Sequence, residues 1–163
     1  MADVIALRSE WAHDYAVATP GPVPRAGLEA LPREWTVVDH VPIGGATIDH
    51  VVIGPNGVFT IGVDPDPEPA VPGDDGLYRS GVRVTTPVKA ALMAAHLLRR
   101  EAHRRLFAYP ILVTAIAAGP EQLDRLGVVR GDRIAEYIWS HPGLPLRRSQ
   151  RQEVLWSLHR PAR

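Results

Sequence analysis

The sequence predicts a small α/β domain, a mixed central sheet flanked by helices in the order helix, three strands, helix, strand, with further helices at the C-terminal end. Three observations carry this reading. Apolar residues at Ile48 and Val52, and again at Val58, Ile61 and Val63, alternate on either side of Gly54-Pro55-Asn56-Gly57, a dense turn sequence between two strands. Between Thr86 and Leu106, the residues Val88, Ala91, Leu92, Ala95, Leu98, Ala102 and Leu106 form an apolar stripe at helical spacing. After it, Tyr109 to Ala117 is a continuous apolar run of strand length, suited to a buried central position.

The remaining elements follow in chain order. Residues 1–24 carry Trp11, Tyr15 and then Thr19-Pro20-Gly21-Pro22-Val23-Pro24, an N-terminal extension ending in a stiff linker, and residues 25–163 form the domain. Arg25 to Leu31 is a short helix with Pro24 near its start and Pro32 at its end. Trp35 to Val41 is the strand before the hairpin. From Asp64 to Arg83 the chain is rich in Pro, Gly and Asp, with short strands at Leu77-Tyr78-Arg79 and Val82-Arg83-Val84 around Ser80-Gly81. Within that stretch, the prolines of Asp64-Pro65-Asp66-Pro67-Glu68-Pro69 fix φ and are expected to space the three carboxylates along an extended segment. Helices are predicted at Asp132 to Trp139, with Asp132 as N-cap, and at Arg148 to His159, with Val154, Leu155 and Leu158 packing inward. Trp35, Trp139 and Trp156 read as core or interface anchors.

Composition bounds the function. A chain of 163 residues with a normal apolar share fits one domain with a real core. Cysteine is absent, which excludes disulfides, thiolate metal sites and cysteine nucleophiles. No apolar run approaches the roughly 20 residues of a membrane span, and acidic residues lie where a signal sequence would be apolar, so no membrane association and a cytoplasmic location are expected.

The net charge is zero but unevenly distributed. Residues 1–76 hold 3 basic and 12 acidic side chains, and residues 77–163 hold 15 basic and 6 acidic. On the long helix, Lys89, His96, Arg100 and His103 lie along a side distinct from the apolar stripe, where they can follow a phosphate backbone. Against this, the pI near 7.1 is below the value above ~9 usual for a nucleic-acid-binding domain. A solvated helix surface is therefore placed ahead of nucleic-acid binding, and pairing of the acidic 64–75 segment with the helix arginines is another outlet for the charge.

The segment from Ala46 to Asp64, with Ile48-Asp49-His50-Val51-Val52-Ile53-Gly54-Pro55-Asn56-Gly57-Val58-Phe59-Thr60-Ile61 at its centre, resembles the NERD (nuclease-related) domain of the PD-(D/E)xK nuclease superfamily. The family's strand before the hairpin is similar to Trp35-Thr36-Val37-Val38-Asp39-His40-Val41, and Pro87-Val88-Lys89-Ala90 is similar to the opening of its next helix. The resemblance runs from about Arg25 to the C-terminus and is specific between Trp35 and Ile61. It implies a restriction-endonuclease-like core. It also implies roles position by position: Asp49 falls on the first metal-binding carboxylate, Gly62 on the second acid, and Asp64 on the lysine. Only one of the three is kept. The family's Gln near the start of the helix is Ala90 here, and a gapless carry-over puts the acid of its first helix near Gly21 or Pro22.

In such a site two carboxylates hold Mg²⁺, which activates the attacking water, while the lysine offsets phosphate charge. Replacing that cation by a carboxylate turns attraction into repulsion, each worth about 4 kcal/mol at ~4 Å and an effective dielectric near 20. The expectation is therefore a non-catalytic module of the nuclease fold that binds nucleic acid or a protein partner and needs no cofactor. The alternative is a Mg²⁺ or Mn²⁺ dependent nuclease that pairs Asp49 with a relocated carboxylate, Asp64, Asp66 or Glu68. Zinc is not expected, since His96 and His103 are seven apart rather than four, and Asp49 and His50 should face opposite sides of their strand. Gly44-Gly45 and Gly54-Pro55-Asn56-Gly57 lack the spacing and lysine of a phosphate-binding loop.

Overall fold

The computed structural model describes residues 24–101, 107–116 and 120–159. Helix α1 (Pro24–Leu28) is shorter than the pattern predicted, and Pro24 opens it. Strands β1 (Thr36–Ile43), β2 (Ala46–Gly54) and β3 (Gly57–Val63) form an antiparallel meander. A small antiparallel sheet follows, β4 (Val71–Pro72), β5 (Leu77–Arg79) and β6 (Val82–Arg83). Helix α2 (Thr86–Glu101) then returns the chain to β7 (Ala108–Val113), which pairs parallel to β3. A hairpin of β8 (Glu121–Leu123) and β9 (Leu126–Val129) completes a six-stranded sheet in the order β1-β2-β3-β7-β9-β8, with β9 parallel to β7. Helices α3 (Ile134–Ser140) and α4 (Arg148–Leu158) end the described fold.

The architecture is a mixed sheet with helices on both faces. Val51, Ile53, Val58 and Ala108 meet Ala95 and Leu98 of α2 and Val154 of α4 on one face. Val52, Phe59, Ile61, Ile111, Val113 and Val129 meet Leu28 of α1 and Ile134 and Ile138 of α3 on the other. This double cover explains the burial of both side-chain sets of β2 and β3, which leaves little of the polar alternation seen in half-exposed strands. Leu77 and Val84 dock the small sheet against Ala91, Leu112 and Val128.

Local chemistry sets the corners. Gly44 and Gly45, at φ of 55° and 78°, make the two-residue turn from β1 to β2, where most side chains would be strained. Asn56 bridges the next turn to α3: its Nδ2 donates to the Ile138 carbonyl at 2.6 Å and to that of His141 at 3.2 Å, while its Oδ1 accepts from Trp35 Nε1 at 3.1 Å. A Cβ on Gly54 would run into the Trp35 indole.

Several expectations are corrected. The order helix, three strands, helix, strand is present, but the β8–β9 hairpin was not foreseen. Its Asp124-Arg125 turn lacks the usual Asn or Gly, and Gly127 inside β9 weakens the strand pattern. That glycine lies against the Tyr137 ring, which leaves no room for a Cβ. Asp132 does not cap α3. It sits in a 3₁₀ turn (Gly131–Arg133), and its carboxylate takes two bonds from Arg130. Trp139 and Trp156 are 65% and 72% exposed, so neither is a core anchor. The predicted strand from Tyr109 narrows to β7, with Ile116 adding an isolated bridge to Ala70. The extension at residues 1–23, helix positions 102–106 with His103, and Ala117 lie outside the described residues. Among the described residues no helix is long and apolar enough to cross a membrane.

Candidate site at the carboxyl ends of the parallel strands

In open α/β sheets, ligands favour the crevice beyond the carboxyl ends of the parallel strands. Here those ends belong to β3, β7 and β9, and Asp49, Gly62 and Asp64 all lie there. His50 and Ile61 form the last β2–β3 pair, so Asp49 and Gly62 are each one residue beyond it.

Asp49 is held by the backbone. Its Oδ2 accepts the Val63 N–H at 2.9 Å, which closes the end of the strand pair. The opposite strand is kinked at the same level. His40 has φ 51°, and the apolar set facing α2 changes parity there, from Val38 to Val41 and Ile43 in β1 and from Val51 to Ile48 in β2. Gly62 leaves room for a Cβ. A Cβ built on it would sit 3.6 Å from Cβ of Ala91, an ordinary contact.

Asp64 is the best-anchored member. Its N–H donates to the Val113 carbonyl at 2.9 Å, continuing the β3–β7 pairing. Its Oδ2 accepts from Arg79 Nη2 at 2.7 Å and from Thr114 Oγ1 at 3.1 Å. The two charged side chains are 7% and 12% exposed, and Thr114 is fully buried. The same guanidinium donates through Nε to the Glu68 carbonyl at 2.8 Å and lies 3.3 Å from Asp66 Oδ2. The 64–69 segment therefore does not spread its carboxylates. Asp64 accepts the Asp66 N–H and Asp66 the Glu68 N–H, turns that Asp forms readily by bonding the backbone two residues on, and the chain curls around Arg79. Ser80 adds a hydroxyl bond to the Glu68 carboxylate.

The internal charge pairing was foreseen, but its partners were not. Among the described residues, Arg79 and Arg83 of the small sheet pair with Asp64, Asp66 and Asp75. Among the described residues no three His, Asp or Glu side chains gather in a group able to hold a metal ion. Asp49, Asp64 and Asp66 thus share one end of the sheet without converging on one point.

His50, next to Asp49 in β2, is fully buried. Its Nδ1 lies 2.7 Å from Asp39 Oδ1, and Arg25 approaches the same oxygen at 3.4 Å. Burial pushes the His50 pKa below its ordinary value and outweighs the opposing pull of Asp39. Its Nε2 is buried with no hydrogen-bond partner among the described residues. Sequence reasoning placed His50 beside the site and missed this pairing across β1 and β2.

On α2, Lys89, His96 and Arg100 are all exposed, with Met93 among them, while Ala91, Ala95 and Leu98 are buried. The three basic side chains line the outer side of the helix. Phe107, just beyond the helix region, is 41% exposed, and the Arg99 guanidinium carbon lies 5.1 Å from its ring centre. Arginine with an aromatic ring is a signal the sequence carried at Arg99 and Phe107, but their contact depends on the return from α2 to β7. No family model, curated protein or solved structure matches the chain.

Proposed function

We propose that the chain is a non-catalytic module of the NERD-like, restriction-endonuclease-like type that binds nucleic acid along the outer side of α2. The observation that carries the first half is the Arg79 guanidinium seated on Asp64 at the carboxyl end of β3. In the active pattern that position carries a lysine free to act on phosphate. Here it carries a buried carboxylate whose charge is already matched, next to Gly62, which has no acid to offer.

The second half rests on the aligned exposure of Lys89, His96 and Arg100. With a rise of about 1.5 Å per residue, the steps from 89 to 96 and from 96 to 100 are roughly 10 and 6 Å along the helix, so one extended phosphate chain can pass all three. Sequence-independent affinity of this kind comes from counterion release and falls steeply with salt. Binding of labelled DNA should weaken between about 50 and 200 mM salt. The variant Lys89→Glu/Arg100→Glu should abolish it while the circular dichroism spectrum stays unchanged. A protein partner on the same surface is the second reading, supported by Met93, which is 54% exposed between the basic side chains.

A further inference from the structure

A groove of about 390 Å³ runs beside α2, lined by Leu92, His96, Arg99, Phe107 and Arg125, with Asp124 its one acidic lining residue among the described residues. That volume is within the range of small-ligand sites, roughly 300–1,000 Å³. Its apolar surface is open: Phe107 is 41% exposed and Leu92 39%. Its charge is mainly cationic, and Arg99 sits over the Phe107 ring at 5.1 Å. Flat aromatic and guanidinium faces are the surfaces on which nucleobases stack, and the arrangement adjoins the Lys89, His96 and Arg100 line.

We propose that this groove receives an unpaired base, so that the ligand of α2 is single-stranded nucleic acid rather than duplex. The inference rests on the nucleic-acid reading above and specifies the form of the strand. In a duplex the bases are stacked on one another, and their faces cannot reach Phe107. A single strand turns its bases out while its phosphates follow the basic side chains. Stacking accepts any base, so little sequence preference is expected.

Fluorescence anisotropy at about 50 mM salt, with labelled oligothymidylate and a duplex of equal length, tests the proposal. The single strand should bind more tightly. Phe107→Ala should weaken single-strand binding about ten-fold or more and leave duplex binding unchanged. Phe107→Leu keeps an apolar side chain in the groove and removes the aromatic face, so it should show the same selective loss even if the alanine variant folds poorly. Equal binding of both forms, with Phe107→Leu silent, would overturn the inference and leave the nucleic-acid reading standing. Absence of binding to either form would overturn both.

Discussion

Arg79 reaches back from the small sheet to place Nη2 2.7 Å from Oδ2 of Asp64, at the end of β3 where the parallel strands leave the main sheet. The pair ties two sheets together: Asp64 belongs to the β3–β7 ladder, Arg79 to β5, and Thr114 bonds with both. A charge at this depth is tolerated only with its partner in place.

Removing either partner should therefore be costly. Arg79→Met or Asp64→Asn is expected to lower stability by about 3–5 kcal/mol, because each leaves the other group buried and uncompensated. For a chain of this size that corresponds to roughly a 10 °C fall in Tm. The double variant Arg79→Met/Asp64→Leu should recover much of the loss, as measured by urea titration with an unchanged m-value.

The same pair governs any attempt to build a metal-dependent nuclease site at this end of the sheet. A Cβ at Gly62 meets only ordinary contact at Ala91, so Gly62→Glu introduces no clash at that atom. Asp64→Lys would place a second cation against Arg79 and should unfold or strongly destabilise the protein. Adding Arg79→Gln removes the clash. Metal-dependent DNA cleavage is expected only from the folded triple variant, never from Gly62→Glu/Asp64→Lys alone.

Acid should destabilise the fold through histidine. Burial lowers the pKa of His50 and of His141 below the value near 6.5 expected in the unfolded chain. The native state then binds fewer protons than the unfolded state, so this contribution is complete above pH ~6.5 and is lost as pH falls through the native pKa values. Protonating His50 would also set a new N–H at its buried, unpartnered Nε2, although Asp39 and Asp49 soften the cost and Arg25 adds to it. Tm measured from pH 8 to 5 should fall below pH ~6.5, and His50→Gln should flatten the slope.

Asn56 joins three elements through one side chain. Asn56→Ala should cost about 1–3 kcal/mol, since it removes three bonds and leaves the Trp35 indole N–H without its acceptor, while the carbonyls of Ile138 and His141 keep the backbone N–H groups of His141 and Gly143. Hydrogen exchange should rise first at the C-terminal end of α3.

The sequence made some of this legible and concealed the rest for physical reasons. The β2–β3 hairpin and α2 were visible because turn residues and apolar spacing are local signals, read at Gly54 to Gly57 and at Ala91, Ala95 and Leu98. The β8–β9 hairpin was hidden because its short strands owe their place to pairing with β7 and to the fit of Gly127 under Tyr137. At the candidate site, Asp49, Gly62 and Asp64 could be named only through the resemblance of the hairpin to the NERD pattern. The arginine that answers them comes from residue 79, and nothing within β3 announces it. Likewise Asp39 and His50 are eleven residues apart and meet only because β1 and β2 pair in that register.

The most direct test combines retention with integrity. Labelled single-stranded and duplex DNA, incubated with the purified protein in Mg²⁺ and then in Mn²⁺, should be bound in a salt-dependent manner and recovered uncut. Cleavage that requires the metal and disappears in Asp49→Ala would contradict the account and make the protein a nuclease with a rewired site.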